Sequence, residues 1–398
     1  MNPFQAELRR RLASIQDAGL RRELRRVDSP QDTRIRIAGR ELLNFSSNNY
    51  LGLANHPALK EAATKAVEKF GAGAGASRLI CGSLAPFHEL EEALAAFKRT
   101  EAALTFSTGY AAAVGTITAL LGKDDIIIVD KLVHACIVDA AKLSGAKLRV
   151  FAHNDLNDLE DILRWANKNQ SAIGNRQSAI LIVTESVFSM DGDCAPLSEI
   201  VALKEKHGAW LMVDEAHATG IYGANHRGLA EQLGVSDQIE IQMGTLGKAL
   251  GASGGYICGS RELIDFLVNR ARSFIFSTAP VPAAAAAATA GIKLVQSTDG
   301  KSLNEKLWAR VAEFNSALRT PHSAFFSAIS PVVIGDESAA VAAATKLREE
   351  GIFVPAIRYP TVARGAARLR ITLTASHTQA DVKQLRDALA DLKLAIGN

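Results

Sequence analysis

The sequence predicts an α/β protein with a mostly parallel sheet in a large domain, followed by a smaller C-terminal α+β domain. Two observations support this class: short continuous apolar runs recur between residues 125 and 259, and helical segments separate several of them. Continuous apolar runs are typical of strands buried on both faces of a parallel sheet. Alternating strands and helices indicate a sheet that is covered by helices on both sides.

Six apolar runs are strand candidates, and the segments between them carry helical patterns. One helical segment spans residues 196–208 and ends at a glycine. The alanine-rich run after Pro282 is too short and too weakly apolar to cross a bilayer, which takes roughly 20 apolar residues, so it is predicted to be a core helix. The strand candidates are residues 125–130, 147–153, 179–188, 210–216, 239–246 and 254–259.

The C-terminal part of the chain has a different pattern. Residues 337–351 are predicted to form a helix that ends at a glycine, and residues 367–374 alternate as in a half-exposed antiparallel strand. Residues 378–396 have an amphipathic pattern, and Thr378 with Asp381 is a start signal for that helix. The predicted organisation is an N-terminal arm over residues 1–47, a large domain over 48–285 and a small domain over 286–398.

Charge and cysteine content narrow the function classes. Residues 1–40 hold ten arginines and five acids, whereas the whole chain has a formal net charge of only +3. The arm is therefore either a solvated arginine-rich helix or a basic segment that meets an anionic substrate or carrier. Nucleic acid is not an expected partner, because the basic excess is small and lacks interleaved aromatic residues.

The four cysteines are far apart and form no CxxC pair, and the N-terminus has no signal-peptide pattern. These features predict a cytoplasmic protein with no metal cluster and no membrane partner.

Polar residues stand where the predicted strands end. Ligands of open parallel sheets bind beyond the carboxyl ends of the strands, so we expect these residues to share one site. Each has an ordinary structural explanation when taken alone, but together they are the groups needed to hold pyridoxal 5′-phosphate. They are His134 after the first run, Ser189 after the third, Asp214 and His217 at the end of the fourth, and Thr245 and Lys248 at the end of the fifth.

The chemistry of that cofactor assigns a hypothesis to each group. Lys248 would supply the amine for a Schiff base, since burial lowers the pKa of a lysine and frees its amine. Asp214 would keep the pyridine nitrogen protonated, so that the ring can accept electrons. Backbone N–H groups of Gly109 and Tyr110, at the start of a predicted helix, would bind the phosphate with help from the Thr245 hydroxyl. His134 would stack on the ring, and His217 would donate to its phenolic oxygen.

These motifs resemble those of the α-oxoamine synthases, which are fold type I pyridoxal-phosphate enzymes. The resemblance covers nearly the whole chain and is carried by "NFSSNNYLGLANHP", "FGAGAGASRLICGS", "FSTGYAAA", "ESVFSMDGDCAPL", "LMVDEAHATGIYG" and "GTLGKALG". It implies a homodimeric transferase that joins an acyl thioester to an amino acid with loss of carbon dioxide, with its active site at the dimer interface. It also implies that Ser77 reaches the neighbouring subunit's phosphate and that Ser189 lies near the phenolic oxygen.

Three further segments indicate one branch of that family. They are "RVFAHND", "VFSMDGD" followed by "APL", and "AIRYPTVARGAARLRITLTASHT". The resemblance implies condensation of L-alanine with a pimeloyl thioester, on coenzyme A or an acyl carrier protein, in biotin biosynthesis. The alternative is a sister enzyme such as a glycine C-acetyltransferase. The substrate residues implied are Arg358 for the amino-acid carboxylate with help from Asn48, Thr361 near the acyl group, and Arg21, or the adjacent Arg22, for the acyl carboxylate.

Three other classes fit the sequence less well. "VDEAH" matches a signature of nucleic-acid-dependent ATPases, but the chain has no GxxxxGK[ST] loop. "GAGAGAS" follows a helical stretch and not a strand, which argues against a dinucleotide-dependent dehydrogenase. A binding module without catalytic activity leaves the clustered strand-end residues unexplained.

Overall fold

The computed structural model describes residues 2–170, 172–173, 176–316 and 327–392. Within these residues there are fourteen α-helices. In chain order they are α1 (Pro3–Asp17), α2 (Pro57–Phe70), α3 (Ala85–Lys98), α4 (Gly109–Leu120), α5 (Ala135–Ser144), α6 (Leu156–Lys168), α7 (Leu197–His207), α8 (Leu229–Gln232), α9 (Arg261–Arg270), α10 (Arg272–Ile275), α11 (Pro282–Val295), α12 (Thr298–Asn315), α13 (Glu337–Glu349) and α14 (Gln379–Asp391).

Fifteen strands lie in the same described part of the chain. In chain order they are β1 (Arg34–Ile37), β2 (Arg40–Asn44), β3 (Ala102–Phe106), β4 (Ile126–Asp130), β5 (Lys147–Phe151), β6 (Ala172–Ile173), β7 (Arg176–Gln177), β8 (Ile180–Glu185), β9 (Trp210–Asp214), β10 (Ile241–Thr245), β11 (Gly255–Gly259), β12 (Ile329–Gly335), β13 (Ile352–Phe353), β14 (Ala356–Ile357) and β15 (Ala367–Thr372).

The chain divides into two compact units. The smaller unit comprises Met1–Asn48, Met190–Gly192 and Glu305–Asn398, and the larger unit comprises Asn49–Ser189 and Asp193–Asn304. The helix α11 lies wholly in the larger unit, because it packs against α2 and α3. The division at residues 48 and 286 that the sequence suggests stays a prediction.

The larger unit is built on a seven-stranded sheet in the order β3-β11-β10-β9-β8-β4-β5. The strands β10, β9, β8, β4 and β5 run parallel, whereas β11 is antiparallel to both of its neighbours. Every residue of β4, β8 and β11 is buried, which explains their continuous apolar runs. The six predicted strands are all confirmed, but β3 was missed, because the two alanines in "AALTF" give it a weak apolar signal.

Helices α4, α5 and α9 cover one side of this sheet with small and branched side chains. Ala113 and Ile117 of α4 and Ile137 of α5 pack against strand residues such as Ile127 and Val183. Each of these five side chains is fully buried, and burial of one isoleucine stabilises a fold by about 1.5–3 kcal/mol. The parallel strands are therefore rigidly held, and so are the residues at their carboxyl ends.

The smaller unit contains two three-stranded sheets, ordered β1-β2-β13 and β12-β15-β14. The strand β15 is antiparallel to both of its neighbours, as predicted. Its predicted half-exposure is wrong, because all six residues are buried. The two arginines of this strand are buried because they have hydrogen-bond partners within the unit. Arg368 donates to Met190 and Asp191, and Arg370 donates to Thr372 and Asn48.

The predicted helices of the smaller unit are also present. Residues 337–349 form α13, and α14 begins with the predicted capping box, in which Thr378 and Asp381 exchange side-chain and backbone hydrogen bonds. None of the helices in the described residues combines the length and apolar character that a membrane crossing requires.

Candidate active site

Four neighbouring parallel strands of the larger unit end in polar residues. The last residues of β4, β8, β9 and β10 are Asp130, Glu185, Asp214 and Thr245. Strand register pairs Asp214 with Glu185 on one side and with Met243, two residues before Thr245, on the other. The strand ends that the sequence analysis selected therefore converge at one edge of the sheet.

Lys248 lies in a tight turn directly after β10. Within this turn Gly251 adopts a φ of +69°, and a Cβ atom there would come within 2.6 Å of Leu53. Gly251 lets the turn pack closely against the segment at Leu53. The turn directs the lysine back toward the sheet edge. The Lys248 amine lies 2.8 Å from Nε2 of His217. The lysine is half-buried and lies among other titratable groups, unlike a solvated surface lysine.

His217 also contacts a residue that the sequence analysis missed. The Tyr50 hydroxyl lies 2.6 Å from Nδ1 of His217, and both side chains are buried. Tyr50 is 167 positions away along the chain, so no local pattern could have paired the two. The tyrosine fixes the orientation of the imidazole ring beside the lysine.

Asp214 is a buried carboxylate with a neighbouring carboxyl. The backbone N–H of Ala216 donates to Asp214 Oδ1 over 2.9 Å. Burial raises the pKa of Asp214, and Lys248 and the Ala216 hydrogen bond oppose that shift. Glu185 is fully buried as well, and burial together with the Asp214 charge raises its pKa to about 8. Glu185 was missed as a site residue, since it lies inside a run that was interpreted only as a strand.

A helix N-terminus lies next to Thr245. The helix α4 begins at Gly109, and the Thr108 hydroxyl accepts a hydrogen bond from Ala111 N–H over 3.0 Å. A Cβ atom on Gly109 would come within 2.6 Å of Thr245 Cγ2, so only glycine allows this close approach. Among the residues that the structure describes, the buried Thr245 Oγ1 has no hydrogen-bond partner. A hydroxyl beside a helix N-terminus is a donor set that suits a phosphate group.

The other predicted cofactor residues of the larger unit lie on its loops and helix ends. His134 is exposed and caps α5 through Nδ1, which accepts from Cys136 N–H over 3.2 Å. Ser189 follows β8 and is half-buried. The Tyr110 hydroxyl donates to Asp139 over 2.8 Å. Ser77 is half-buried and forms an isolated β-bridge with Thr278.

The smaller unit contains four of the predicted substrate residues, Arg21, Asn48, Arg358 and Thr361, and brings most of them together. The Arg358 guanidinium donates to the backbone carbonyls of Gly19 and, over 2.7 Å, Arg21. Arg22 donates to the Thr361 hydroxyl over 3.4 Å. Several of these residues line a cavity of about 520 Å³, together with residues of the arm. Its lining comprises Gln16, Gly19, Arg21, Arg22, Glu23, Arg25, Val341, Ala356 and Arg358.

Asn48 contacts a different arginine. Arg370, on β15, donates to Asn48 Oδ1 over 3.1 Å and to the Thr372 hydroxyl over 3.0 Å. Arg370 is 6% exposed, and a guanidinium is rarely buried unless polar groups surround it. Arg370 was not predicted as a site residue, because the alternation of "ARLRITLT" suggested a solvent-facing side chain.

The residues of the larger unit fit pyridoxal 5′-phosphate. A lysine amine, a buried carboxylate on the adjacent strand, and an unpartnered hydroxyl beside a helix N-terminus match an aldehyde, a ring nitrogen and a phosphate. In the described ranges, no group of three or more histidine, cysteine, aspartate or glutamate side chains has an arrangement that could hold a metal ion.

Known proteins resemble this chain over nearly its full length. The family model for aminotransferase class I and II matches residues 40–389. An 8-amino-7-oxononanoate synthase of Geotalea daltonii is 49% identical over 389 residues, which is 97% of each chain.

Two solved structures share the fold. A serine palmitoyltransferase from S. paucimobilis, with a bound PLP–myriocin aldimine, has a TM-score of 0.88 at 30% identity, covering 97% of this chain and 98% of that one. An 8-amino-7-oxononanoate synthase from Francisella tularensis has a TM-score of 0.73 at 28% identity, covering 88% and 97%. The predicted fold type I class and the predicted family are confirmed. The chain therefore belongs to the aminotransferase class I and II family and, within it, to the 8-amino-7-oxononanoate synthases.

Proposed function

We propose that this protein is a pyridoxal-phosphate-dependent acyltransferase of biotin biosynthesis. It condenses L-alanine with a pimeloyl thioester and releases carbon dioxide and the thiol. The observation that carries the proposal is the convergence of Lys248, His217 and Asp214 at one sheet edge, in a chain 49% identical to a synthase of that name. Its basic arm suits an acyl donor on coenzyme A or on an acyl carrier protein.

The larger unit holds the cofactor in this proposal. Lys248 binds it covalently through the ε-amine, and Asp214 pairs with the ring nitrogen. Gly109, Tyr110 and Thr245 bind the phosphate, and His134 stacks on the ring. His217 and Ser189 lie at the phenolic oxygen. When bound, pyridoxal 5′-phosphate supplies an aldehyde that condenses with amines and a ring that accepts an electron pair from the α-carbon.

The protein's own residues then control protons. The Lys248 amine takes the proton from the α-carbon of alanine and returns one at the end of the cycle. His217 lies next to that amine and is oriented by Tyr50. The Asp214 carboxylate holds the proton on the ring nitrogen, because a buried anion favours a paired cation. His134 donates a hydrogen bond to the thioester carbonyl.

Two arginines compete for the alanine carboxylate. Arg358, predicted from the sequence, donates to two backbone carbonyls of the arm. Arg370 is buried and contacts Asn48, the predicted helper for that carboxylate. A planar guanidinium next to an amide suits bidentate carboxylate binding, so we favour Arg370. The arm residues Arg21 and Arg22, with Thr361, then serve the carboxylate end of the acyl group.

A homodimer with a shared active site is part of the proposal. Large apolar side chains are exposed on both segments that meet at the Ser77–Thr278 bridge: Ile80 is 78% exposed and Phe276 is 70% exposed. Clustered exposure of this kind marks protein interfaces. Ser77 would then reach the partner's phosphate. Sedimentation of the holoenzyme tests the dimer. A cytoplasmic location remains a prediction.

Thiol release is the test of the function. Purified holoenzyme is incubated with L-alanine, glycine or L-serine, each combined with pimeloyl, acetyl or succinyl thioesters. We expect L-alanine with the pimeloyl thioester to give the highest kcat/KM and a product that has lost carbon dioxide. A preference for glycine with the acetyl thioester would instead support the sister C-acetyltransferase, and a preference for L-serine would also contradict the proposal.

A further inference from the structure

A charged cluster lies at the carboxyl ends of β4 and β5, outside the predicted set of site residues. His153 Nδ1 is 2.9 Å from Asp130 Oδ1, and His153 Nε2 is 2.7 Å from Asp193 Oδ2. Ionised carboxylates only accept hydrogen bonds, so both ring nitrogens carry a hydrogen and the ring is an imidazolium. Burial by itself lowers the pKa of His153, but the hydrogen bonds to Asp130 and Asp193 raise it to about 10.

One side of the cluster organises the turn that carries His134. The Asp130 side chain is fully buried. Its Oδ1 accepts from Leu132 N–H over 2.7 Å, and its Oδ2 accepts from Asn154 N–H over 2.9 Å. The turn after Asp130 leads directly into His134, which is the N-cap residue of α5. His153 therefore fixes the position of the Asp130 carboxylate, which holds this turn through the hydrogen bond from Leu132 N–H.

The other side organises the segment that carries Ser189. The Phe188 N–H donates to the Asp193 carbonyl over 2.9 Å, and Val187 pairs with Cys194. The His153 ring lies perpendicular to the Phe188 ring, with centroids 4.4 Å apart. Ser189 is the next residue after Phe188. His153 thus contacts this segment on both sides of Ser189, at Phe188 and at Asp193.

Further hydrogen bonds connect these segments. Asn154 adopts a φ of +55°, and its amide donates to Asp193 Oδ2 over 3.1 Å and to the Cys194 carbonyl over 3.2 Å. Backbone hydrogen bonds from both His134 and Ser189 act on the buried Glu185 carboxyl. The turn with His134 and the segment with Ser189 are therefore neighbours, and His153 lies where they meet.

We propose that the His153 imidazolium is a positioning residue that holds the His134 turn and the Ser189 segment at a fixed separation and thereby aligns both side chains on the cofactor. The proposal rests on the function proposed above, because that function places His134 and Ser189 at the cofactor. Without the cation, the Asp130 and Asp193 carboxylates would repel each other and the two segments would separate. A displacement of about 1 Å can lower a rate by up to about 100-fold.

The test compares His153→Gln with Asp193→Asn and the double variant. His153→Gln leaves two facing carboxylates, so we expect kcat to fall by about 10- to 100-fold while KM for the thioester changes little. We also expect the visible absorbance of the bound cofactor to titrate at a shifted pH. The double variant removes one carboxylate, so it should recover part of the lost kcat. If His153→Gln does not fold, Asp193→Asn takes its place in the comparison, because the Asp193 side chain is one-third exposed and its replacement disturbs the fold less.

His207→Gln is the matched control. His207 lies at the end of α7, is bonded to Asn167 and is also near a carboxylate, that of Glu160. It precedes β9 and so belongs to the opposite edge of the sheet. We expect a loss of stability without a change in the cofactor spectrum. The proposal is overturned if His153→Gln changes kcat and the spectrum no more than His207→Gln does, or if the double variant recovers nothing.

The wild-type thiol assay separates the two proposals. Its failure with L-alanine and a pimeloyl thioester would contradict the proposed substrates, whereas the cofactor spectra of the variants would still decide the role of His153.

Discussion

The Lys248 amine lies 2.8 Å from Nε2 of the His217 imidazole, whose Nδ1 faces the Tyr50 hydroxyl at 2.6 Å. A phenol, an imidazole and an amine thus form a continuous hydrogen-bonded row within the larger unit. In the proposed function, the Lys248 amine is at times bonded to the cofactor and at other times carries a proton. A fixed neighbour that can exchange a hydrogen with the amine supports this alternation. The row explains why a lysine is placed directly after a buried strand.

Lys248→Ala removes the amine from this row. We expect the purified variant to lack the absorbance band of the covalently bound cofactor and kcat to fall by about 10³-fold, within the range for a lost general base. Absorbance and thiol release measured on one preparation check both effects. Lys204→Ala is a suitable control, since that lysine pairs with Glu240 away from the candidate site. Turnover near the wild-type rate would refute the assignment of Lys248.

Asp214→Asn and Glu185→Gln separate the two buried carboxyls. Burial and the neighbouring Asp214 raise the pKa of Glu185 and so favour its protonated form, which glutamine closely imitates. We therefore expect Glu185→Gln to retain kcat within a few-fold. Asp214→Asn loses the anion that holds the ring proton, so kcat should fall by about 100-fold or more. Equal losses in the two variants at pH 7 would contradict this division of roles.

The sequence predicted the residues whose position depends on strand ends. Asp214, Thr245 and Lys248 follow apolar runs, and parallel strands bring such positions to one edge whatever the details of packing. Tyr50 and Glu185 were missed for two different reasons. Tyr50 contacts His217 from a segment that is distant in the sequence. Glu185 lies inside an apolar run, where an acidic residue indicates no more than that the strand ends there.

The same distinction applies to the smaller unit. The helices α13 and α14 were predicted, because the capping residues and apolar spacing that define them are local. The burial of β15 was not, since alternation of polar and apolar residues looks the same whether the polar face meets water or buried partners. Arg370 meets Asn48 and Thr372, and only the tertiary structure distinguishes these partners from solvent.

Arg370→Lys and Arg358→Lys identify which guanidinium binds the alanine carboxylate. Lysine keeps the charge but loses the planar pair of donors. We expect Arg370→Lys to raise KM for L-alanine by about tenfold or more, which corresponds to 1.4 kcal/mol or more of lost binding. Arg358→Lys should leave that KM nearly unchanged. Steady-state kinetics with varied L-alanine provide the measurement, and the reverse pattern would restore Arg358 to the role.

His377 makes the stability of the smaller unit depend on pH. Its Nδ1 accepts from Thr374 N–H, and its Nε2 donates to the Asn44 carbonyl over 3.0 Å, so the buried ring is neutral. Burial lowers the pKa of His377 to about 4, against the opposing effect of the Asn44 hydrogen bond. Between about pH 6.5 and 4 the unfolded chain binds a proton that the folded chain does not, so stability falls as the pH falls.

The loss from this one group should reach about 3 kcal/mol at pH 4, because one pKa unit corresponds to about 1.4 kcal/mol. Chemical denaturation at pH 7, 6, 5 and 4 measures it, and His377→Asn provides the reference because other acids titrate equally in both proteins. The difference in unfolding free energy between the two proteins should shrink toward low pH. A constant difference would show that His377 is charged in the folded protein.

Thr245→Val tests the phosphate site without relying on turnover. In the described structure the Thr245 hydroxyl is buried without a hydrogen-bond partner, and such a group costs a folded protein about 1–3 kcal/mol. Valine has the same shape without the hydroxyl, so the apoprotein should be as stable as the wild type or more stable.

If the Thr245 hydroxyl binds the phosphate, the variant should lose one charge-assisted hydrogen bond, worth about 1.5–3 kcal/mol. Its Kd for the cofactor should then rise by about 10-fold or more. Opposite signs for apoprotein stability and cofactor affinity are expected only of a group that is preorganised for a ligand. Fluorescence titration of the apoprotein gives the affinity, and thermal unfolding gives the stability. A less stable apoprotein with unchanged affinity would assign the hydroxyl a structural role and move the phosphate away from Thr245.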